Sequence, residues 1–135
     1  MSISFEGQVA IVTGAGNGLG RTHAIALAER GAKVVVNDLG GARDGTGASS
    51  DAAVEVVKLI QDNGGEAFAH GANVAKFDEV QDMVDQAMDK WGRIDILINN
   101  AGILRDKSFT KMDLADFRLV MDVHLMGSVL SLIHI

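Results

Sequence analysis

One octapeptide, Thr13-Gly14-Ala15-Gly16-Asn17-Gly18-Leu19-Gly20, constrains this chain more than any other stretch. It follows "VAIVT" (9–13), a short, β-branched, apolar run of the kind that forms a strand covered on both faces. It runs into "GLGRTHAIALAER", which reads as a helix ending at Gly31. A glycine turn between buried strand and helix lets the backbone come close to a diphosphate. Exposed amides and the positive helix end then meet its charge. Gly14 suits the tight turn, Gly18 the close approach and Gly20 close helix–strand packing. A P-loop would need glycine at Ala15 and lysine at Arg21, and has neither. A turn that uses glycine for steric reasons alone is the plain alternative.

The rest of the chain repeats the same alternation. "KVVVND" (33–38) is a second buried strand, and Ala53, Val56, Val57 and Ile60 predict a helix over 51–62, stopped by Gly64-Gly65. "EAFAH" (66–70) is a weaker third strand. Phe77, Val80, Val84, Ala87, Met88 and Trp91 give one apolar helical stripe ended by Gly92. "IDILIN" (94–99) is a fourth strand, and Phe117, Val120, Met121, His124, Leu125 and Ser128 predict a further helix from Asp113. Strands about 30 residues apart with helices between them are the rhythm of right-handed βαβ units in a parallel sheet.

Asp38 adds an independent sign. It lies at the end of the second strand, where a carboxylate accepts bonds from adenosine ribose hydroxyls and repels a 2′-phosphate. Two unit charges roughly 4 Å apart cost about 4 kcal/mol at an effective dielectric near 20, which favours NAD over NADP. The plainer reading is that Asp38 opens the turn into the glycine-rich "LGGARDGTGASS".

Composition sets the outer bounds. With 135 residues, 47% of them apolar, the chain fits one domain with a real core. A net charge of -6, with cations scattered singly, argues against nucleic acid or an anionic membrane as main partner. The absence of cysteine removes disulfides, thiolate nucleophiles and cysteine-ligated zinc, and the histidines show no metal-ligand spacing. The start has no cationic leader, and no apolar segment reaches the roughly 18 residues that cross a bilayer. The expected setting is cytoplasmic.

With these stretches in hand, the chain resembles the short-chain dehydrogenase/reductase family. Thr13-Gly14, Gly18 and Gly20 match its TGxxxGxG motif, and Asn99-Asn100-Ala101-Gly102 its NNAG motif. "VVVNDLGG", "NNAGILRDKSF" and "VHLMG" are similar to the branch of (3R)-hydroxyacyl-CoA dehydrogenase units in peroxisomal multifunctional enzymes and their bacterial relatives. The resemblance implies a Rossmann-like, doubly wound parallel sheet of strand order 3-2-1-4, with the cofactor at the order reversal. It also implies NAD as cofactor, a small-molecule substrate with acyl-CoA among the candidates, and a homo-oligomeric parent. Carried over by position, it puts Gly14, Asn17, Gly18 and Leu19 around the diphosphate, counts Gly20 in the same cofactor-binding turn, and sets Asp38 on the ribose. Asn73 and Val74 come beside the adenine, and Asn100, Ala101 and Gly102 along the cofactor's central stretch. Asn99-Asn100 could instead be a strand-ending turn. His124 stands where most of the family has asparagine. It is either a catalytic-centre residue, as the resemblance implies, or a core histidine satisfied by a carbonyl.

The family reaction needs a tyrosine as proton donor and acceptor, with a lysine four residues on and a nearby serine. This chain has no tyrosine. The expectation is a partial NAD-binding domain over 1–129, cut before a fifth strand, with the fourth strand an unpaired apolar edge. The final Leu-Ser-Leu-Ile-His-Ile (130–135) reads as the translation of CTG TCT CTT ATA CAC ATC, a transposon end used in sequencing libraries, and so as non-native sequence. Three functions are open: an NAD-dependent oxidoreductase of a secondary alcohol or ketone, with 3-hydroxyacyl thioesters among the candidate substrates, a 3-oxoacyl-carrier reductase or sugar or steroid alcohol dehydrogenase, and a nucleotide-binding module without chemistry.

Overall fold

The computed structural model describes residues 2–41 and 51–135, so most of the glycine-rich loop after the second strand lies outside the described residues. Strands β1 (Val9–Val12), β2 (Lys33–Asn37), β3 (Ala67–His70) and β4 (Ile96–Ile98) form one sheet of order β3-β2-β1-β4. All three pairings are parallel, with Val9 beside Lys33, Ala10 beside Ile96 and Val34 beside Ala67. The connections are α1 (Gly18–Glu29), α2 (Asp51–Asp62) and α3 (Phe77–Trp91). The fold class and strand order read from the sequence are those observed.

The period of two along each strand sorts the core into two layers. Ala10, Val12, Val34 and Val36 face α1 and α2, meeting Ala24, Leu27, Val56 and Ile60. Ile11 and Val35 face α3, meeting Val80, Met83, Val84 and Ala87. Each fully buried valine or isoleucine contributes roughly 1.5–3 kcal/mol of transfer free energy. Gly92 ends α3 in the left-handed conformation, and its amide bonds to Met88 O at 2.8 Å.

Three expectations need correction. In α3, Phe77 and Met88 are exposed and Met83 is core. The buried set Val80, Met83, Val84, Ala87 keeps i, i+3, i+4, i+7 spacing, while Phe77 begins the helix with its ring centroid 4.5 Å from that of His134. The stripe from Asp113 lies on α4 (Leu114–Met121), a π-helical turn (Asp122–Met126) and α5 (Gly127–His134). No side chain of α4 is buried. Along this stretch the buried residues are Gly127 and Ser131 of α5, with Leu130 packed on the α3 layer, while Asp116 and His124 bond to the loop after β4. The three segments are also one continuous helix, Leu114–His134, and among the described residues this one helix is long and apolar enough, by length and composition, to cross a bilayer. The expectation of no such stretch missed it because Asp116, Arg118 and Asp122 interrupt the apolar run without ending the helix.

Candidate cofactor site

The carboxyl ends of β1, β2 and β4 converge where the strand order reverses, which is where an open α/β sheet leaves a crevice. A cavity of about 260 Å³ lies there. Of the residues read as binding groups, Gly14, Asn17, Asp38, Asn73, Val74, Asn100, Ala101 and Gly102 line it together. Gly18, Leu19 and Gly20 do not line it. They form the first turn of α1, and the Leu19 side chain is 73% exposed.

The turn itself is built for close approach. Gly14 has φ +63, and a Cβ there would lie 2.8 Å from Ala101 Cα, so both conformation and space demand glycine. A Cβ on Gly20 would lie 2.3 Å from Gly14 O and 2.4 Å from Asn100 Nδ2, which is the packing role expected of it. Gly18 has φ +55 and open space around it. Helix α1 starts from an extended Asn17 that makes no side-chain cap, and the first turn carries no acidic residue. Asp51, Asp78 with Glu79, and Asp116 occupy the first turns of α2, α3 and α4. An uncapped helix start left free of anions suits an incoming negative group.

Thr13 and Asn100 lock the turn to β4. Thr13 Oγ1 accepts the amides of Asn100 (3.1 Å) and Ala101 (3.0 Å). Asn100 Nδ2 donates to Thr13 O and Gly14 O, each at 3.0 Å. The Asn100 side chain is therefore a brace for the turn, and what it leaves to the cavity is its surroundings. Thr13, 2% exposed, is a positioning residue that the sequence reading carried only as a letter of the motif.

Asp38 is held from two sides: Gly16 N donates to Oδ2 and Gly40 N to Oδ1, both at 2.8 Å. Asn37, buried at the same strand end, donates from Nδ2 to His70 O (3.1 Å) and Ala72 O (3.0 Å). It shapes the wall on which Asn73 and Val74 sit, and its place as a polar residue ending an apolar strand was the available signal. Asn73 Oδ1 accepts the Ala75 amide at 3.0 Å, so one of its acceptor positions serves its own turn.

On the far wall, Ile103, Leu119 and Val123 close the cavity with apolar surface. His124 is exposed, which corrects the core-histidine reading. Its Nε2 lies 2.9 Å from Ile103 O and 3.1 Å from Ile103 N, so either neutral tautomer finds a backbone partner. A Cβ on Gly102 would lie 2.7 Å from His124 Cε1, so glycine there admits the ring. Past Ile103, Asp116 takes hydrogen bonds from Arg105 and then Lys107, which hold its carboxyl below the usual carboxylate range. Asp116 in turn raises Lys107.

Comparison with known proteins fits this geometry. The family model described as short chain dehydrogenase matches residues 8–134. The chain is 54% identical over 129 residues to peroxisomal multifunctional enzyme type 2 of Drosophila melanogaster, covering 93% of this chain and 21% of that protein. It is 53% identical over 131 residues to peroxisomal multifunctional enzyme A of Dictyostelium discoideum, covering 95% and 28%. Among solved structures, a short chain dehydrogenase from Mycobacterium avium superposes with a TM-score of 0.86 at 45% identity, over 96% of this chain and 44% of that one. The chain thus spans less than a third of those two relatives and under half of the solved one.

Proposed function

The chain belongs to the short chain dehydrogenase family, and from that premise we propose that it is the dinucleotide-gripping part of an NAD-dependent oxidoreductase acting on a secondary alcohol or ketone. The substrate class we propose is a 3-hydroxyacyl-CoA, in keeping with the two multifunctional enzymes it is similar to. The observation that carries the reading is the Asp38 carboxylate, held by two backbone amides in the wall of the cavity. Each oxygen keeps a lone pair for a sugar hydroxyl, and the fixed charge opposes a phosphate at the same place.

The residues present fit such a cofactor. Gly14 and Gly18 leave the backbone bare beside the start of α1, where a diphosphate would meet unpaired amides. Asn73 and Val74 would flank the adenine, while Ala101, Gly102 and Ile103 would hold the middle of the molecule. When bound, NAD supplies a hydride acceptor at its nicotinamide ring. What this chain adds is binding and orientation, with His124 as a positioning group that fixes the Ile103 backbone through Nε2. The proposed unit is 1–129, with 130–135 as added sequence, and the source DNA across that boundary tests this division.

A second reading has its own support. The 135 residues hold no tyrosine, the group through which the family moves the substrate proton. The chain would then bind NAD without turning substrate over. Titration with NADH, read by its fluorescence, tests both: saturable binding is expected, and its absence would sink the cofactor site. Turnover of a 3-hydroxyacyl-CoA by these 135 residues would overturn the binding-only reading.

A further inference from the structure

Gly16 is buried inside the first crossover turn, yet its φ lies outside the left-handed region, so conformation does not require glycine there. Space does. A Cβ at this position would stand 2.6 Å from Asp38 Oδ2, 3.0 Å from Asp38 Cγ and 2.9 Å from the Ala52 side chain. The same residue gives its amide to Asp38 Oδ2 at 2.8 Å. Gly16 thus contributes two things to one carboxylate oxygen: a donor, and room to lie against it. The second oxygen takes the Gly40 amide, so the carboxylate plane is fixed by one amide on each side.

We propose that Gly16 is a specificity-positioning residue, which seats the Asp38 carboxylate so that the site prefers a free adenosine ribose over a 2′-phosphorylated one. This rests on the reading of the cavity as an NAD site. A methyl group at 16 pushes Oδ2 off its amide, and the carboxylate turns away from the sugar position. A free ribose then loses its acceptor, while a phosphorylated ribose loses its repulsion. The two cofactors respond in opposite directions, and a merely structural defect would weaken both alike.

The test uses the 135-residue chain with Ala52→Gly as reference, which removes the competing Ala52 contact and leaves Asp38 as the neighbour that must move. NADH and NADPH are titrated against the A52G reference, against A52G with Gly16→Ala, against A52G with Asp38→Ala, and against all three substitutions together. The NADH-to-NADPH affinity ratio is expected to fall about tenfold with G16A, or about 1.4 kcal/mol. It is expected not to change further between D38A alone and D38A with G16A, because the carboxylate through which residue 16 acts is gone. An unchanged ratio, or equal loss of both cofactors, overturns the proposal. If G16A fails to fold, recovery of the fold on adding D38A supports the clash at Asp38, and failure to recover overturns it. A reference that prefers NADPH or binds neither cofactor overturns the NAD reading, and this inference with it. Preference for NADH that survives G16A overturns the inference alone.

Discussion

The two flanks of the sheet use the same apolar alphabet and end in opposite states. On the β1–β2 flank, Val9–Val12 and Val34–Val36 are no more than 1% exposed. On the β4 flank, Ile96–Ile98 are half-buried, no residue of α4 is buried, and Phe109 is 83% exposed. The difference lies in partners. Strand β1 has a strand on each side and helices on both faces, whereas β4 pairs with β1 alone. Burial is a property of the neighbourhood, so an isoleucine earns its transfer free energy only where something covers it. The cavity inherits this asymmetry: its β1–β2 wall is a closed lattice of amides and oxygens, and its β4 wall is apolar loop and helix.

The largest test of that contrast replaces a glycine on the closed flank. Gly20→Ala puts a methyl group against Gly14 O and Asn100 Nδ2, both backed by the turn lattice. We expect a loss of about 3 kcal/mol in denaturant unfolding and loss of NADH binding. On the open flank, Phe117→Ala removes a larger side chain and is expected to cost no more than about 0.5 kcal/mol, since that ring is 45% exposed. Equal costs would erase the distinction between the flanks. Next in size is Thr13→Val, which keeps the shape and leaves the Asn100 and Ala101 amides without their acceptor. About 2 kcal/mol is expected, with weaker NADH binding, because the hydroxyl is what ties β1's turn to the end of β4. A smaller effect on stability, and a visible one on association, is expected from the helix. Phe117, Met121 and Leu125 repeat every four residues and are each at least 40% exposed. Unmatched apolar surface of this kind drives self-association. F117E with L125E should therefore lower the sedimentation coefficient toward that of a monomer, with Tm nearly unchanged.

The sequence made the closed flank legible because every level agreed there. β-branched runs, the glycine turn and Asp38 all called for one geometry, and strands, order and most of the cavity wall follow from them. What escaped was polar bracing inside the fold. Thr13, Asn37 and Gly16 act through partners distant in the chain, and spacing rules carry no information about a hydroxyl that accepts two amides from another strand. The open flank was misread for the reverse reason: helical periodicity in residues 113–128 correctly implied a helix, but periodicity says which residues share a face and not what that face meets. The π-helical turn around His124 has no sequence signal that we can identify.

The finest test lies at the seam between the flanks. Asp95 Oδ2 accepts the Val9 amide at 2.8 Å, the Asp95 amide donates to Val9 O at 2.9 Å, and Arg93 grips the same carboxylate. Its carboxyl is held below the usual carboxylate range, first by the Arg93 hydrogen bond and then by the Val9 amide. A carboxyl lowered in the folded state binds fewer protons there than in the unfolded chain. Its contribution is therefore complete above an unfolded value of about 3.9 and fades as pH falls through the folded value. Asp95→Asn keeps an oxygen for Val9 and removes the charge. In thermal unfolding followed from pH 7 downward, the variant should start slightly below wild type and lose less of its Tm on acidification, so that the two curves converge. Curves that stay parallel would mean that the carboxylate does not couple β4 to β1. The seam between the closed and open flanks would then rest on the strand pairing and on the Thr13 and Asn100 side chains.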